Sequence, residues 1–129
     1  MIELTRIDHM NMTVKNLKAS QDFYGSLFGF ELKESGVGSK GQPWAILGVP
    51  DRAYLCLYEV GNAERLDQDI QINHFGFNVE DFDSLEARLR DAGIDYGRVY
   101  QQGKSRSIYI TDPNGYEIEL SEHLGGGLH

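Results

Sequence analysis

Cysteine is nearly absent: the 129 residues contain one, Cys56. A lone thiol forms no intramolecular disulfide, and an all-cysteine metal site is excluded. Basic residues are scarce beside acidic ones, 12 against 20, giving a formal net charge of −8 and a pI near 4.8. Such a chain repels nucleic acid and anionic membranes, whereas a small anionic ligand responds only to local charge. No apolar run approaches the ~18 residues that span a bilayer. The opening Met1-Ile2-Glu3-Leu4-Thr5-Arg6 lacks the basic start and apolar stretch of a secretory leader, so the cytoplasm is the expected compartment. What remains is ordinary for a soluble globular chain, 40% hydrophobic and 25% charged. The length suits one compact domain or two small half-units sharing a core.

The most ordered pattern lies near the C-terminus. Ile108 and Ile110 alternate with Ser107 and Tyr109, then Asp112-Pro113-Asn114-Gly115 supplies turn chemistry. Pro113 pre-sets φ and Gly115 tolerates φ > 0. The returning strand places Ile118 and Leu120 on one face and Glu117, Glu119 and Ser121 on the other. The spacing predicts a hairpin with one apolar face and one face of carboxylates and a tyrosine.

The chain repeats itself. Ile7-Asp8-His9-Met10-Asn11-Met12-Thr13-Val14 alternates as a half-buried strand, and Ile72 to Val79 matches it at a separation of 65, with His74 on His9. A helix follows each copy. Asn16 is the expected N-cap of the first and Gly29 its left-handed stop; Asp81 and Gly93 do the same for the second. The first helix carries Leu17, Phe23, Tyr24, Leu27 and Phe28 on one side. Three strands should follow over Phe30 to Val60, with Ser35 to Gly41 as a flexible loop. Gly61 to Asp69 reads as the connector, and Gly125 to His129 as a disordered tail. The expected modules are residues 1–62 and 63–129. Cys56 falls at the position equivalent to Glu119. The fold class expected is α+β: two βαβββ modules forming a cupped, partly open mixed sheet with helices on its outer face. Met10, Met12, Val14, Phe75, Phe77, Val79, Ile108, Ile110, Ile118 and Leu120 would pack on the helices. His9, Asn11, Thr13, His74, Asn78, Ser107, Tyr109, Glu117, Glu119 and Ser121 would line the other face.

Two histidines at equivalent positions, with a carboxylate on a neighbouring strand, are the donor types of a two-histidine, one-carboxylate site for divalent Mn, Fe, Ni, Co or Zn. Three protein ligands leave room for substrate oxygens, and the ion with one carboxylate keeps a net +1. Each residue has a plainer use as well: a strand histidine is more often a satisfied polar group, and Glu119 alone reads as surface.

His9 in Ile-Asp-His-Met, His74 in Ile-Asn-His-Phe, and the run from Asp112 to Glu119 resemble the vicinal oxygen chelate superfamily, as does Phe23 to Phe30. That family includes glyoxalase I, fosfomycin-resistance proteins, extradiol dioxygenases and metal-free drug-binding proteins. The resemblance spans residues 5 to 122. It implies paired βαβββ modules, one divalent metal held by His9, His74 and Glu119, a homodimer, and a substrate with two adjacent oxygens. Tyr109 is then the candidate for acid–base chemistry, and Asn11 and Ser107 for orienting substrate. Trp44, Tyr54 and Tyr58 are candidate cleft residues, with core or dimer packing as the alternative.

The subfamilies match unequally. The fourth ligand of glyoxalase I, a glutamate, falls on Cys56, while the nearby Glu59 has the wrong strand parity. Fosfomycin-resistance proteins match at Ser107 and Tyr109, but their first-strand threonine is Asn11 here and their anion-binding lysine falls near Val99. Lys104 and Arg106 are the substitute cations to consider. Extradiol dioxygenases match from Ile108 to Glu119, with Tyr100-Gln101-Gln102 where their catalytic histidine would stand. The expected activity is lyase, isomerase or thiol-transfer chemistry. Ring cleavage and non-catalytic sequestration are the alternatives.

Overall fold

The computed structural model describes residues 1, 3, 6–60, 72 and 74–127. The chain divides into two compact units, Met1–Arg65 and Leu66–His129. The connector expected from Gly61 to Asp69, and the boundary between residues 62 and 63, lie outside the described residues. Among those residues, no helix is long and apolar enough to cross a membrane.

In the first unit, β1 (Met10–Val14) leads into α1 (Leu17–Phe28), then β2 (Glu31–Val37), β3 (Pro43–Val49) and β4 (Ala53–Glu59). The sheet order is β1-β4-β3-β2, with β1 parallel to β4 and the other pairs antiparallel. The second unit repeats the plan. β5 (Phe75–Asn78) is followed by a 3₁₀ turn (Phe82–Ser84), α2 (Leu85–Asp91), β6 (Tyr100–Gln102), β7 (Ser105–Thr111) and β8 (Glu117–Ser121), in the order β5-β8-β7-β6. The α+β class and the strand–helix–strand–strand–strand plan hold in both units. Asn11 pairs with Cys56 and Gly76 with Glu119, so Cys56 and Glu119 are equivalent, as the repeat predicts.

Strand alternation decides which residues are buried. Met12, Val14, Ala45, Leu47, Leu55 and Leu57 are buried in the first unit together with Tyr24 of α1. Ile108, Ile110, Ile118 and Leu120 are buried in the second, with Phe82, Leu85 and Leu89. Met10, Phe75, Phe77 and Val79 are only half-buried; β1 and β5 each lie at one edge of their sheets.

Helix α1 is capped twice at its start. Asn16 Oδ1 accepts the Ala19 N–H (2.9 Å), and Glu59 Oε2, from the end of β4, accepts the Leu17 N–H (2.8 Å). Two otherwise orphaned donors are thereby satisfied. Gly29 ends the helix at φ 75°.

Three expectations change. Asp81 does not cap the second helix: its backbone is left-handed (φ 55°), a cap needs extended backbone, and the chain enters through the 3₁₀ turn. Strand β2 continues through Ser35-Gly36-Val37, because Gly36 pairs with Trp44 and the indole lies over it. A Cβ on Gly36 would sit 2.7 Å from that ring. Of the tail expected to be disordered, Gly125 to Gly127 belong to a 3₁₀ turn, Leu124–Gly127, and residues 128 and 129 lie outside the described set.

The β7–β8 turn is built around buried Asp112. Its Oδ1 accepts the N–H groups of Asn114 (2.8 Å) and Tyr116 (2.9 Å), and Gly115 takes φ 93°. Asn16→Ala should cost about 1 kcal/mol of unfolding free energy in urea titrations. Asp112→Ala, which strips two backbone donors of their acceptor, should cost about 1–3 kcal/mol.

Candidate functional site

The Asp112 turn fixes the pairing of β7 with β8, and that pairing sets Tyr109 opposite Glu119 and Ser107 opposite Ser121. On the other side of β8, Gly76 pairs with Glu119. Parity puts Gly76, Asn78, Ser105, Ser107, Tyr109, Glu119 and Ser121 on the face away from the apolar core. Glu119 is the centre of this face. The Tyr109 hydroxyl donates to Glu119 Oε1, and His74 Nε2 lies 4.0 Å from the same oxygen. The rings of His74 and Tyr109 meet edge to face at 5.5 Å, and Tyr100 meets Tyr109 likewise at 5.6 Å. Arg98 stacks on Tyr100, 4.4 Å from its centroid.

The phenol of Tyr109 is pushed up to about 12. Its hydrogen bond to the Glu119 carboxylate contributes most, then burial, then the charges of Glu119 and Glu117. It is a fixed proton donor at neutral pH.

His74 and Glu119 are donor types that suit a divalent ion, and their Nε2 and Oε1 atoms stand 4.0 Å apart, wider than the roughly 3.0–3.4 Å between neighbouring donors at about 2.1 Å from a shared ion. Gly76 lies close against β8: a Cβ there would sit 3.3 Å from the Glu119 carbonyl oxygen. Among the described residues, no group of three or more His, Cys, Asp and Glu side chains gathers closely enough to hold an ion. A cavity of about 380 Å³ opens along the same face, from Gly76 and Glu119 past Asn78, Ser107 and Ser121 to His123.

The first unit's corresponding face is different. It carries Asn11, Trp44, Ile46, Tyr54, Cys56 and Tyr58. Trp44 lies over Gly36 and Tyr54 over Gly48, aromatic rings filling space that glycines leave on a sheet. Cys56 is half-buried, and burial, then the charge of Asp8, raises its thiol, which keeps it protonated. His9 is on the chain entering β1. Its Nδ1–H donates to Asp8 Oδ2 (2.7 Å), and Nε2 is the ring's other donor atom. Glu59 points to the helix face and is spent on the α1 cap, as its parity predicts.

Arg106 is already paired. It lies on β7 with the parity of Ile108, so it faces the helical side. Its guanidinium donates to Glu122 (2.7 Å) and Asp83 (2.9 Å) and stacks on Phe82 at 4.7 Å. Lys104 is exposed in the β6–β7 turn. Sequence reading missed Ser105, Asp8, Gly76, Tyr100 and His123 as members of these faces. The parity of Ser105 with Ser107 was the one signal available for it, and Asp8 stands next to His9 in the chain.

Residues 6–120 match the family model described as Glyoxalase/Bleomycin resistance protein/Dioxygenase superfamily. The chain belongs to that superfamily. Within it, the chain is 31% identical over 127 residues to the glutathione transferase FosA of Serratia marcescens, covering 95% of this chain and 82% of that one. It is 27% identical to the metallothiol transferase FosB of Staphylococcus epidermidis, covering 96% and 84%. The superfamily fold is shared with the crystal structure of the fosfomycin resistance protein FosX of Listeria monocytogenes, complexed with Mn(II) and sulfate. There the TM-score is 0.70 at 20% identity, covering 94% of each chain.

Glu122 gives a test of the Arg106 pin. The hydrogen bond from Arg106 holds its carboxyl at about 2, below the ordinary 4.5. Stability from this group is present above pH 4.5 and is lost as pH falls toward 2. Glu122→Gln should lower Tm at pH 7, and the gap to wild type should close between pH 4.5 and 2.

Proposed function

We propose that the protein is a metal-dependent enzyme acting on a small molecule with two adjacent oxygens, by lyase, isomerase or thiol-transfer chemistry. The observation that carries this reading is the cluster of His74, Tyr109 and Glu119 on one polar face beside a cavity. His74 and Glu119 are two of the ligands, and His9, their repeat-related counterpart, is the third. FosB is named a metallothiol transferase and FosX was crystallised with Mn(II), which supports a divalent ion here. Mn, Fe, Ni, Co and Zn all suit the donor set.

The ion would polarise both substrate oxygens and stabilise the negative charge that develops on them. The chain's own residues do the rest. Tyr109 holds its proton at the hydroxyl bonded to Glu119 Oε1 and delivers a hydrogen bond, or the proton itself, to substrate. Ser107 and Asn11 orient the substrate, and Trp44, Tyr54 and Tyr58 shape the apolar part of its surroundings. Cys56, protonated and half-buried, stays outside the ligand set. The working form is a cytoplasmic homodimer. Ring cleavage ranks lower, because Tyr100 packs against Tyr109 in the region where that chemistry would need a histidine.

Metal uptake after reconstitution decides between enzyme and sequestering protein. His9→Ala, His74→Ala and Glu119→Gln should each weaken metal binding by roughly tenfold or more, whereas Cys56→Ala should not. Less than one ion per two subunits would overturn the proposal. With methylglyoxal–glutathione and fosfomycin–glutathione as first substrates, Tyr109→Phe should cut kcat by about 10²–10⁴-fold while the protein still binds metal. An unchanged kcat would remove Tyr109 from the chemistry.

A further inference from the structure

His9 stands on the chain entering β1, two residues ahead of Asn11 and with its parity. It lies just outside the ladder, which begins where Met10 pairs with Leu55. Outside the ladder, neighbouring side chains need not diverge, and Asp8 reaches the imidazole: its Oδ2 is 2.7 Å from His9 Nδ1. A carboxylate accepts and does not donate. The proton of this bond therefore sits on Nδ1, and the lone pair of the neutral ring on Nε2.

A free imidazole does not hold that arrangement by itself. In water the neutral histidine side chain favours the proton on Nε2, the atom that would have to bind an ion. A carboxylate on the opposite nitrogen reverses the preference, fixes the orientation of the ring and makes the remaining nitrogen a better donor. The charge of Asp8 also reaches the polar face of the sheet: after burial, it is the second cause that raises the Cys56 thiol. The same carboxylate thus favours nitrogen and disfavours thiolate sulfur as the donor of the first unit. It is particular to this copy of the repeat, since Asn73 stands at the corresponding position.

We infer that Asp8 is the positioning residue of His9, holding the imidazole in the Nδ1–H form with Nε2 as the atom offered to the divalent ion. The inference rests on reading His9 as one of the ligands. Outer carboxylates of this kind are worth about 10–100-fold in metal affinity. The lower end applies here, because the side chains of His9 and Asp8 are 45% and 94% exposed and water competes for the bond.

The full chain, free of metal, is read first by long-range nitrogen–proton NMR spectra of the imidazoles at mildly alkaline pH. Wild-type His9 should show the Nδ1–H form and Asp8→Ala the Nε2–H form. Asp8→Asn, whose amide oxygen still accepts, should return toward wild type. Zn(II) is then titrated in competition with a chromophoric chelator. Asp8→Ala should weaken binding about 10-fold, and Asp8→Asn by less. Glu34→Gln removes one exposed carboxylate from β2 and should leave the affinity within about twofold, which separates general charge from contact with His9. The inference is overturned by an Nε2–H form in wild type, by a tautomer unaltered in Asp8→Ala, or by Zn(II) affinity unaltered in Asp8→Ala while His9→Ala weakens it. Equal Zn(II) binding by wild type and His9→Ala would overturn the ligand set itself, a failure told apart from the others because it appears in His9→Ala.

Discussion

Everything on the polar face of the second unit depends on one register, that of β7 against β8. Strand side chains alternate, so a slip of one residue would carry Tyr109 and Glu119 to the apolar side and bring Ile108 and Ile118 out. The Asp112 carboxylate blocks that slip by gathering the Asn114 and Tyr116 amides in a closed loop. Gly115 supplies the positive φ that the loop needs. With the register set, Tyr109 meets Glu119 directly, and the parallel strand β5 brings Gly76 alongside and His74 within reach of the same carboxylate oxygen. A buried structural acid thus positions the residues assigned to binding and chemistry without touching them.

The two units share a topology and diverge on their polar faces. Where the second carries Ser107 opposite Ser121 and Tyr109 opposite Glu119, the first carries Trp44 opposite Tyr58 and Ile46 opposite Cys56. The sheet imposes only spacing and direction, so either face can be wet or apolar. One face became aromatic, its rings laid over Gly36 and Gly48; the other kept hydroxyls and a carboxylate. This division explains why Glu119 has an acidic role while its counterpart Cys56 is a protonated, half-buried thiol.

The repeat, the strand parity and the Asn16 and Gly29 boundaries were legible in the sequence because each is a local signal or a short period. The apolar residues of β7 and β8 were read correctly for the same reason. Other features depended on partners far away in the chain. Asp81 has the side chain of a cap but the wrong backbone, which the 3₁₀ entry imposes. Gly36 looked like loop until Trp44 covered it. Arg106 was a candidate cation for an anionic substrate, and only the approach of Asp83, Glu122 and Phe82 makes it a pin. The carboxylate of Glu59 could be excluded from the polar face by parity, but its use as a helix cap 42 residues away could not be read. Asp8 stood beside His9 throughout, yet adjacent strand residues normally diverge, so the 2.7 Å contact was not predictable.

The central proposal is that His9, His74 and Glu119 are ligands of one divalent ion. X-ray absorption on the Zn(II)-reconstituted protein tests it most directly. The account predicts two imidazole nitrogens at about 2.0–2.1 Å with the remaining scatterers oxygen. A sulfur at about 2.3 Å, which would place Cys56 on the metal, or a shell without imidazole, would contradict it.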